Sequence, residues 1–134
     1  MDDVVLQKVE SIERCVKRVK EEYQKSDSDF EKDYTRQDAA ILNMQRACEQ
    51  SIDLANYVIK KEKLGMPTYS RESFEILERK GIISEELAIS LSNMVGFRNL
   101  AVHEYASLDI TLIKKIIEDH LEDFLDFTRK MLNS

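Results

Sequence analysis

The sequence predicts an all-α fold, an antiparallel bundle of four main helices with one additional short helix. Apolar residues recur every three or four positions along most of the chain, as on one face of a helix, and no segment shows convincing strand alternation. Only three glycines and one proline interrupt the 134 residues, which favours long helices. A hydrophobic share of 43% and a charged share of 34% are typical of a folded globular protein, so we expect one domain over residues 1–134.

The first half of the chain predicts two long helices. One covers about residues 2–25 and the other about residues 34–61, separated by a polar loop at 25–29. Asp33 or Thr35 is suited to cap the second helix. The residues expected to face inward are Val5, Val9, Ile12, Val16, Val19 and Tyr23 in the first helix, and Ile41, Met44, Cys48, Ile52, Ala55 and Ile59 in the second.

A turn and a short helix follow in the predicted order. The stretch 65–68 contains a glycine and the only proline, which ends the second helix and turns the chain. The short helix is expected at about 71–80, with Ser70 as its cap and Gly81 at its end.

Two further helices complete the predicted bundle. Ser84 caps a helix that leads to Arg98, and Asp109 begins a single last helix. Their inward residues are expected to be Leu87, Leu91, Met94 and Val95, followed by Ile113, Ile116, Ile117, Leu121, Phe124, Phe127 and Met131.

The net charge is −6 and the isoelectric point is about 5.0, so the field of the whole molecule repels nucleic acid. A nucleic-acid substrate would therefore need a local basic cleft. The candidates to guide an RNA backbone are Lys60, Lys61 and Lys63, with a second basic stretch at 14–18. Stretches of this kind are more often solvated helix faces.

Cysteine usage and hydropathy predict a cytoplasmic protein. Cys15 and Cys48 fall on helix faces where small buried cysteines are common, and a chain with two unpaired cysteines and no signal peptide fits a reducing compartment. No apolar stretch approaches the roughly 20 residues of a membrane span, so we expect no membrane association.

The segment 98–105 contains the strongest candidates for chemistry. Arg98 is a permanent cation whose guanidinium can bind a phosphate in a forked arrangement. His103, one of only two histidines, is suited to proton transfer near neutral pH. Asn99 lies four residues before His103 and hence on the same helix face. An arginine and a histidine together can act on a phosphodiester without a metal, which makes RNA cleavage the first hypothesis.

Metal and cofactor motifs are missing from the sequence. The acidic residues show no metal-ligand spacing, no cluster of cysteine and histidine suggests zinc, and no glycine-rich loop suggests phosphate binding. We therefore expect neither a metal nor a cofactor.

Helix geometry predicts that one chain does not form the site alone. Arg98 and His103 project about 140° apart on an ideal helix, whereas Arg98 and Tyr105 are only about 20° apart. Either the helix ends near His103, or a second copy of the segment faces the first across a two-fold axis. We expect the second arrangement, a homodimer in which two arginines and two histidines share one cleft.

The segment Gly96-Phe97-Arg98-Asn99-Leu100-Ala101-Val102-His103-Glu104-Tyr105 resembles the R-x4-6-H motif of the HEPN superfamily. Its R-x4-H-x-Y form is similar to that of the HepT-like toxins of bacterial and archaeal toxin–antitoxin modules. The resemblance covers about residues 40–106 and includes, in the family's order, Met44 to Ala47, Ile52 to Ala55, Pro67, Ser70 to Phe74, Leu77 and Gly81 to Ile83.

This resemblance implies a metal-independent endoribonuclease. Arg98 would bind the scissile phosphate, and His103 would act as base on the ribose 2′-OH or as acid on the leaving oxygen. Asn99 would hold the histidine or contact RNA. The family also implies a partner, a minimal nucleotidyltransferase antitoxin that adenylylates the motif's tyrosine, here Tyr105, and so blocks phosphate entry.

A second function remains open, a non-catalytic helical module that binds a nucleotidyltransferase or a nucleotide. In that case Arg98 and His103 would serve recognition. A purely structural interpretation also stays open for Asn99, which would satisfy a carbonyl at the helix end, and for Tyr105, which would close the core. His120, on the edge of the last helix, is interpreted as structural.

Overall fold

The structure is a computed structural model that describes residues 2–26 and 29–134. The predicted all-α class is confirmed, since these residues form six α-helices and one 3-10 turn and contain no strand. The elements are α1 (Asp3–Lys25), α2 (Tyr34–Lys61), α3 (Ser70–Arg79), α4 (Glu85–His103), a 3-10 turn (Tyr105–Ser107), α5 (Ile110–Asp119) and α6 (Leu121–Leu132). Two residues of the predicted loop at 25–29, Asp27 and Ser28, lie outside the described residues.

Three of the residues predicted to cap or begin a helix make capping hydrogen bonds. The side chains of Asp33, Ser84 and Asp109 accept backbone N–H groups at 3.1, 3.1 and 2.9 Å, at the starts of α2, α4 and α5. Each bond satisfies a donor that the first helical turn leaves without a partner. The cap of α2 is Asp33 rather than Thr35, which lies inside the helix.

The prediction that Ser70 caps the short helix is wrong. Ser70 is the first helical residue of α3, and the preceding Tyr69 makes no side-chain capping bond. The carboxylate of Glu72 accepts the backbone N–H of Thr68 at 2.8 Å, so an acidic side chain of the first turn satisfies a nearby donor. Gly81 follows the end of α3 with a φ of 75°, the left-handed conformation that glycine adopts without a steric penalty.

The predicted inward faces form one continuous core. Every residue expected to face inward is buried except Tyr23, which is only partly buried and packs on the edge of the core. Tyr23 stays at the edge because its hydroxyl donates to the Glu118 carboxylate at 2.5 Å. Both cysteines are buried and unpaired.

The prediction of one continuous last helix is wrong, because the chain leaves helical geometry at His120 (φ −124°, ψ −4°). The N–H of His120 still closes α5 on the Ile116 carbonyl at 2.9 Å, while its own carbonyl accepts the N–H of Asp123 at 3.1 Å. The His120 ring lies 3.2 Å from the Asp123 carboxylate. The described part of the chain therefore has three long helices, α1, α2 and α4, and three short ones rather than four main helices and one short helix.

Helix α4 buries one face in the core and positions the segment 98–105. It packs against α2, α3 and α6, and its C-terminal end leads directly into the 3-10 turn. Within residues 2–26 and 29–134, no helix combines the length and apolar character needed to cross a membrane.

Candidate active site

Arg98 lies where α2, α3 and α4 meet. Its guanidinium Nη2 is 3.5 Å from the Ser70 hydroxyl at the start of α3, at the outer limit of a hydrogen bond. Its Nε is buried and has no acceptor among the described residues. Burial raises the pKa of the Cys48 thiol on α2 to about 12, and the positive charge of Arg98 acts in the opposite direction because it is close to that thiol. The cation is therefore held on the inner side of α4.

His103 lies in different surroundings, as the exposed last residue of α4. Glu104 ends the helix with φ −143° and ψ 52°, and its N–H closes the last turn on the Leu100 carbonyl at 2.8 Å. Asn99, one turn earlier, is also exposed. The four-residue spacing puts the Asn99 and His103 side chains on one face of α4.

The structure does not bring Arg98 and His103 together within one chain. Both residues belong to the continuous helix α4, so they project about 140° apart. Burial agrees with this geometry, since Arg98 is half-buried and His103 is exposed. The helix does end near His103, but only after it, so the helical spacing between the two residues is unchanged.

Tyr105 lies outside α4, at the start of the 3-10 turn. The seven-residue argument that put Tyr105 on the face of Arg98 assumed a continuing α-helix, and the helix ends two residues earlier. Its ring is 45% exposed, and its hydroxyl donates a hydrogen bond to the carboxylate of Asp38 on α2. Partial burial, followed by this bond and the negative charge of Asp38, raises the pKa of Tyr105 to about 12.

Sequence reasoning missed two residues that contact the candidate site. One is Asp38, which lies 67 positions before Tyr105 and which no local pattern connects with it. The other is Arg71, whose Nε donates to the Ser92 carbonyl of α4 at 3.2 Å. The only sequence feature that points to Arg71 is Gly96 on α4. A Cβ at position 96 would lie 2.8 Å from the Arg71 Nη2, too close for the guanidinium to stay in this position. A glycine inside a helix costs up to about 1 kcal/mol, and here it leaves room for a guanidinium.

By helical position, Arg71 lies on the face of α4 that carries His103. Gly96 and His103 are seven residues apart and project within about 20° of each other. Among the described residues, Arg71 forms no salt bridge. This face therefore presents one guanidinium from α3 together with the imidazole and amide of α4.

The three lysines predicted to guide RNA differ in their contacts. Lys60 and Lys63 are exposed and line an open cleft of about 600 Å³ beside Met66 and Pro67. Lys61 instead donates to the Asp2 carboxylate at 2.6 Å. That bond, with a second one from the Tyr57 hydroxyl, holds the pKa of Asp2 well below its usual range. The charge of Lys61 thus ties the end of α2 to the start of α1.

Metal-ligating side chains do not gather in the part of the chain that the structure describes. No group of three or more histidine, cysteine, aspartate or glutamate residues there is close enough to hold an ion.

Comparisons with known proteins agree with this fold and identify its family. The model of the ribonuclease HepT-like family matches residues 12–131, and the chain belongs to that family. It is 42% identical over 127 residues to the mRNA nuclease HepT of Shewanella oneidensis, covering 95% of each protein. It is 27% identical over 88 residues to the tRNA nuclease HepT of Aphanizomenon flos-aquae, covering 66% of this chain and 60% of that protein.

A solved structure extends the likeness to three dimensions. The tri-AMPylated Shewanella oneidensis HEPN toxin, in complex with an MNT antitoxin, superposes with a TM-score of 0.94 at 40% identity, over the full length of both chains. The resemblance to this superfamily inferred from the segment 96–105 is therefore confirmed.

Proposed function

We propose that this chain is an endoribonuclease toxin that cleaves RNA without a metal ion and is neutralised by a nucleotidyltransferase antitoxin. The observation that carries the proposal is the pair of Arg98 and His103 on α4, in a chain 42% identical to an mRNA nuclease. Arg98 supplies a fixed positive charge from the three-helix junction, and His103 supplies an exposed imidazole for proton transfer.

The proposed reaction uses the ribose 2′-OH as nucleophile. The histidine removes the hydroxyl proton while the 2′ oxygen attacks the phosphorus, and the bond from phosphorus to the 5′ oxygen breaks as that oxygen takes up a proton from water. Arg98 balances the negative charge that develops on the phosphoryl oxygens. The products are a cyclic phosphate, or a 3′-phosphate after hydrolysis, and a free 5′-OH. DNA is not cut because it lacks the nucleophile.

The site requires two chains, because Arg98 and His103 project to different sides of one helix. We infer a homodimer in which Arg98 of one chain and His103 of the other share a cleft, with Asn99 orienting the imidazole. Val102, one residue before His103, is 45% exposed and Leu112 on α5 is 44% exposed, so apolar surface is available next to the motif.

Tyr105 is the proposed site of neutralisation. Its half-exposed ring lies at the turn that follows His103, within reach of a second enzyme. An AMP group on its hydroxyl adds bulk and negative charge beside the histidine, and this competes with an RNA phosphate. Lys60 and Lys63, free of the ion pair that engages Lys61, are proposed to guide the RNA backbone.

A non-catalytic binding module is the second candidate, and the divergence of Arg98 and His103 within one chain favours it. Purified protein incubated with RNA, with and without EDTA, separates the two candidates. Cleavage that survives the chelator and leaves cyclic or 3′-phosphate ends supports the ribonuclease. Cleavage that needs added magnesium contradicts the mechanism, and no cleavage by a folded protein favours the binding module.

A further inference from the structure

Asp38 and Tyr105 come from separate elements and meet at the surface. Asp38 lies in the second turn of α2, and its Oδ1 accepts the hydrogen bond of the Tyr105 hydroxyl in the 3-10 turn. Both residues are exposed, so another protein can reach them together. Within residues 2–26 and 29–134, no lysine or arginine pairs with Asp38. The carboxylate is thus an acceptor already directed at the phenol.

We propose that Asp38 is the general base for adenylylation of Tyr105, an inference that rests on the proposed neutralisation at this residue. In this step the Tyr105 Oη attacks the α-phosphorus of ATP, and its proton passes to the Asp38 Oδ1. The bond from Oη to the α-phosphorus forms as the bond from that phosphorus to the oxygen bridging to the β-phosphorus breaks. Pyrophosphate leaves, and Asp38 later releases the proton to water.

The chemistry of a phenol explains why a base is needed. A hydroxyl is a weak nucleophile until an adjacent base accepts its proton. With its pKa raised to about 12, Tyr105 stays protonated at neutral pH, and no preformed phenolate is available. Its proton must therefore leave during the attack, and Asp38 already accepts it in a hydrogen bond. The toxin would thus supply both the nucleophile and the base of its own modification.

Asp38→Asn tests this role, because the amide keeps the shape and one oxygen acceptor but does not take up a proton at neutral pH. The cognate nucleotidyltransferase and ATP are mixed with the full-length protein, and AMP incorporation is followed by intact mass. We expect the maximal rate to fall about 100-fold. The concentration of protein that gives half the maximal rate should stay within about twofold, since binding is unchanged.

Two further variants separate a base from a structural support. Asp38→Glu restores a carboxylate and should recover part of the lost rate. Asp53→Asn removes an exposed carboxylate from the same helix and should be adenylylated at the wild-type rate. Circular dichroism and thermal melting of each variant show that the fold is retained.

Three outcomes would overturn the inference. The first is AMP incorporation into the Asp38→Asn variant at the maximal rate of the wild type. The second is a change only in the half-saturating concentration, which makes Asp38 a recognition residue. The third is no recovery by Asp38→Glu. If the wild-type protein itself gains no AMP at Tyr105, the proposed neutralisation fails with it, so the two failures are distinguishable.

Discussion

The two ends of the segment 98–105 lie in contrasting surroundings. Arg98 is held among three helices, with a buried Nε and a contact to Ser70. His103 and Tyr105 are exposed at the end of α4, where the Tyr105 hydroxyl donates a hydrogen bond to the Asp38 carboxylate. The comparison indicates that the cation proposed to bind phosphate is fixed by the fold, whereas the groups proposed to move protons or accept a modification remain accessible.

The largest expected effect is the loss of RNA cleavage when the side chain of Arg98 or of His103 is replaced by that of alanine. Arg98→Ala and His103→Ala should each lower the rate of RNA cleavage at least about 1,000-fold, since one removes transition-state charge stabilisation and the other proton transfer. Gel assays with a labelled RNA measure the rate. Arg79→Ala and His120→Ala are the matched controls and should stay active. If either of these two alanine variants cleaves RNA at the wild-type rate, the substituted residue is not part of the active site.

The next largest effect is expected at Tyr105, at the exposed end of the segment 98–105. Tyr105→Phe keeps the ring and removes the hydroxyl, so the variant should accept no AMP and should go on cutting RNA in the presence of the antitoxin and ATP. Intact mass and the cleavage assay are read on the same samples. The lost hydrogen bond to Asp38 should cost about 0.5–1.5 kcal/mol of stability in urea unfolding. Full neutralisation of the unmodified variant would mean that the antitoxin acts by steric binding.

Mixing the two inactive variants tests whether the ends act across a dimer. If each site takes Arg98 from one chain and His103 from the other, mixed dimers of Arg98→Ala and His103→Ala contain one intact site. Random exchange should then restore roughly a quarter of wild-type cleavage. Light scattering checks that dimers form. A mixture that stays inactive while mixed dimers are present would show that both residues act within one chain.

The smallest expected effect is that of removing the Ser70 hydroxyl, which contacts the Arg98 guanidinium. Ser70→Ala removes a contact of 3.5 Å, which is at the limit of a hydrogen bond, so cleavage should fall less than about threefold. The same assay measures it, with Ser92→Ala as a control at a residue that contributes only its carbonyl to Arg71. A loss approaching that of Arg98→Ala would show that the fold fixes the guanidinium largely through this one hydroxyl.

Local patterns predicted the helices well, because a buried helical face repeats along the sequence. Predicted caps such as Asp33 and Ser84 hold because their hydrogen bonds reach only three residues. The break at His120 was missed because neither glycine nor proline marks it.

The candidate site was predictable only where it is local. The spacing of Arg98 and His103 can be read from the sequence, and so can their divergence on one helix. The bond from Tyr105 to Asp38 spans 67 positions and exists only after α2 and the 3-10 turn meet. The position of Arg71 is reflected in the sequence only by a glycine inside α4. That glycine can be interpreted only once the placement of α3 is known.

The buried Nε of Arg98 bears on the local stability of α4. An N–H kept from water without an acceptor costs about 1–3 kcal/mol, a large share of the 5–15 kcal/mol by which domains of this kind are folded. The cost falls on the last turns of α4, so these turns should open to solvent more often than the turns around Leu91. In hydrogen exchange, the amides beside the motif would then lose protection before those in the middle of the same helix.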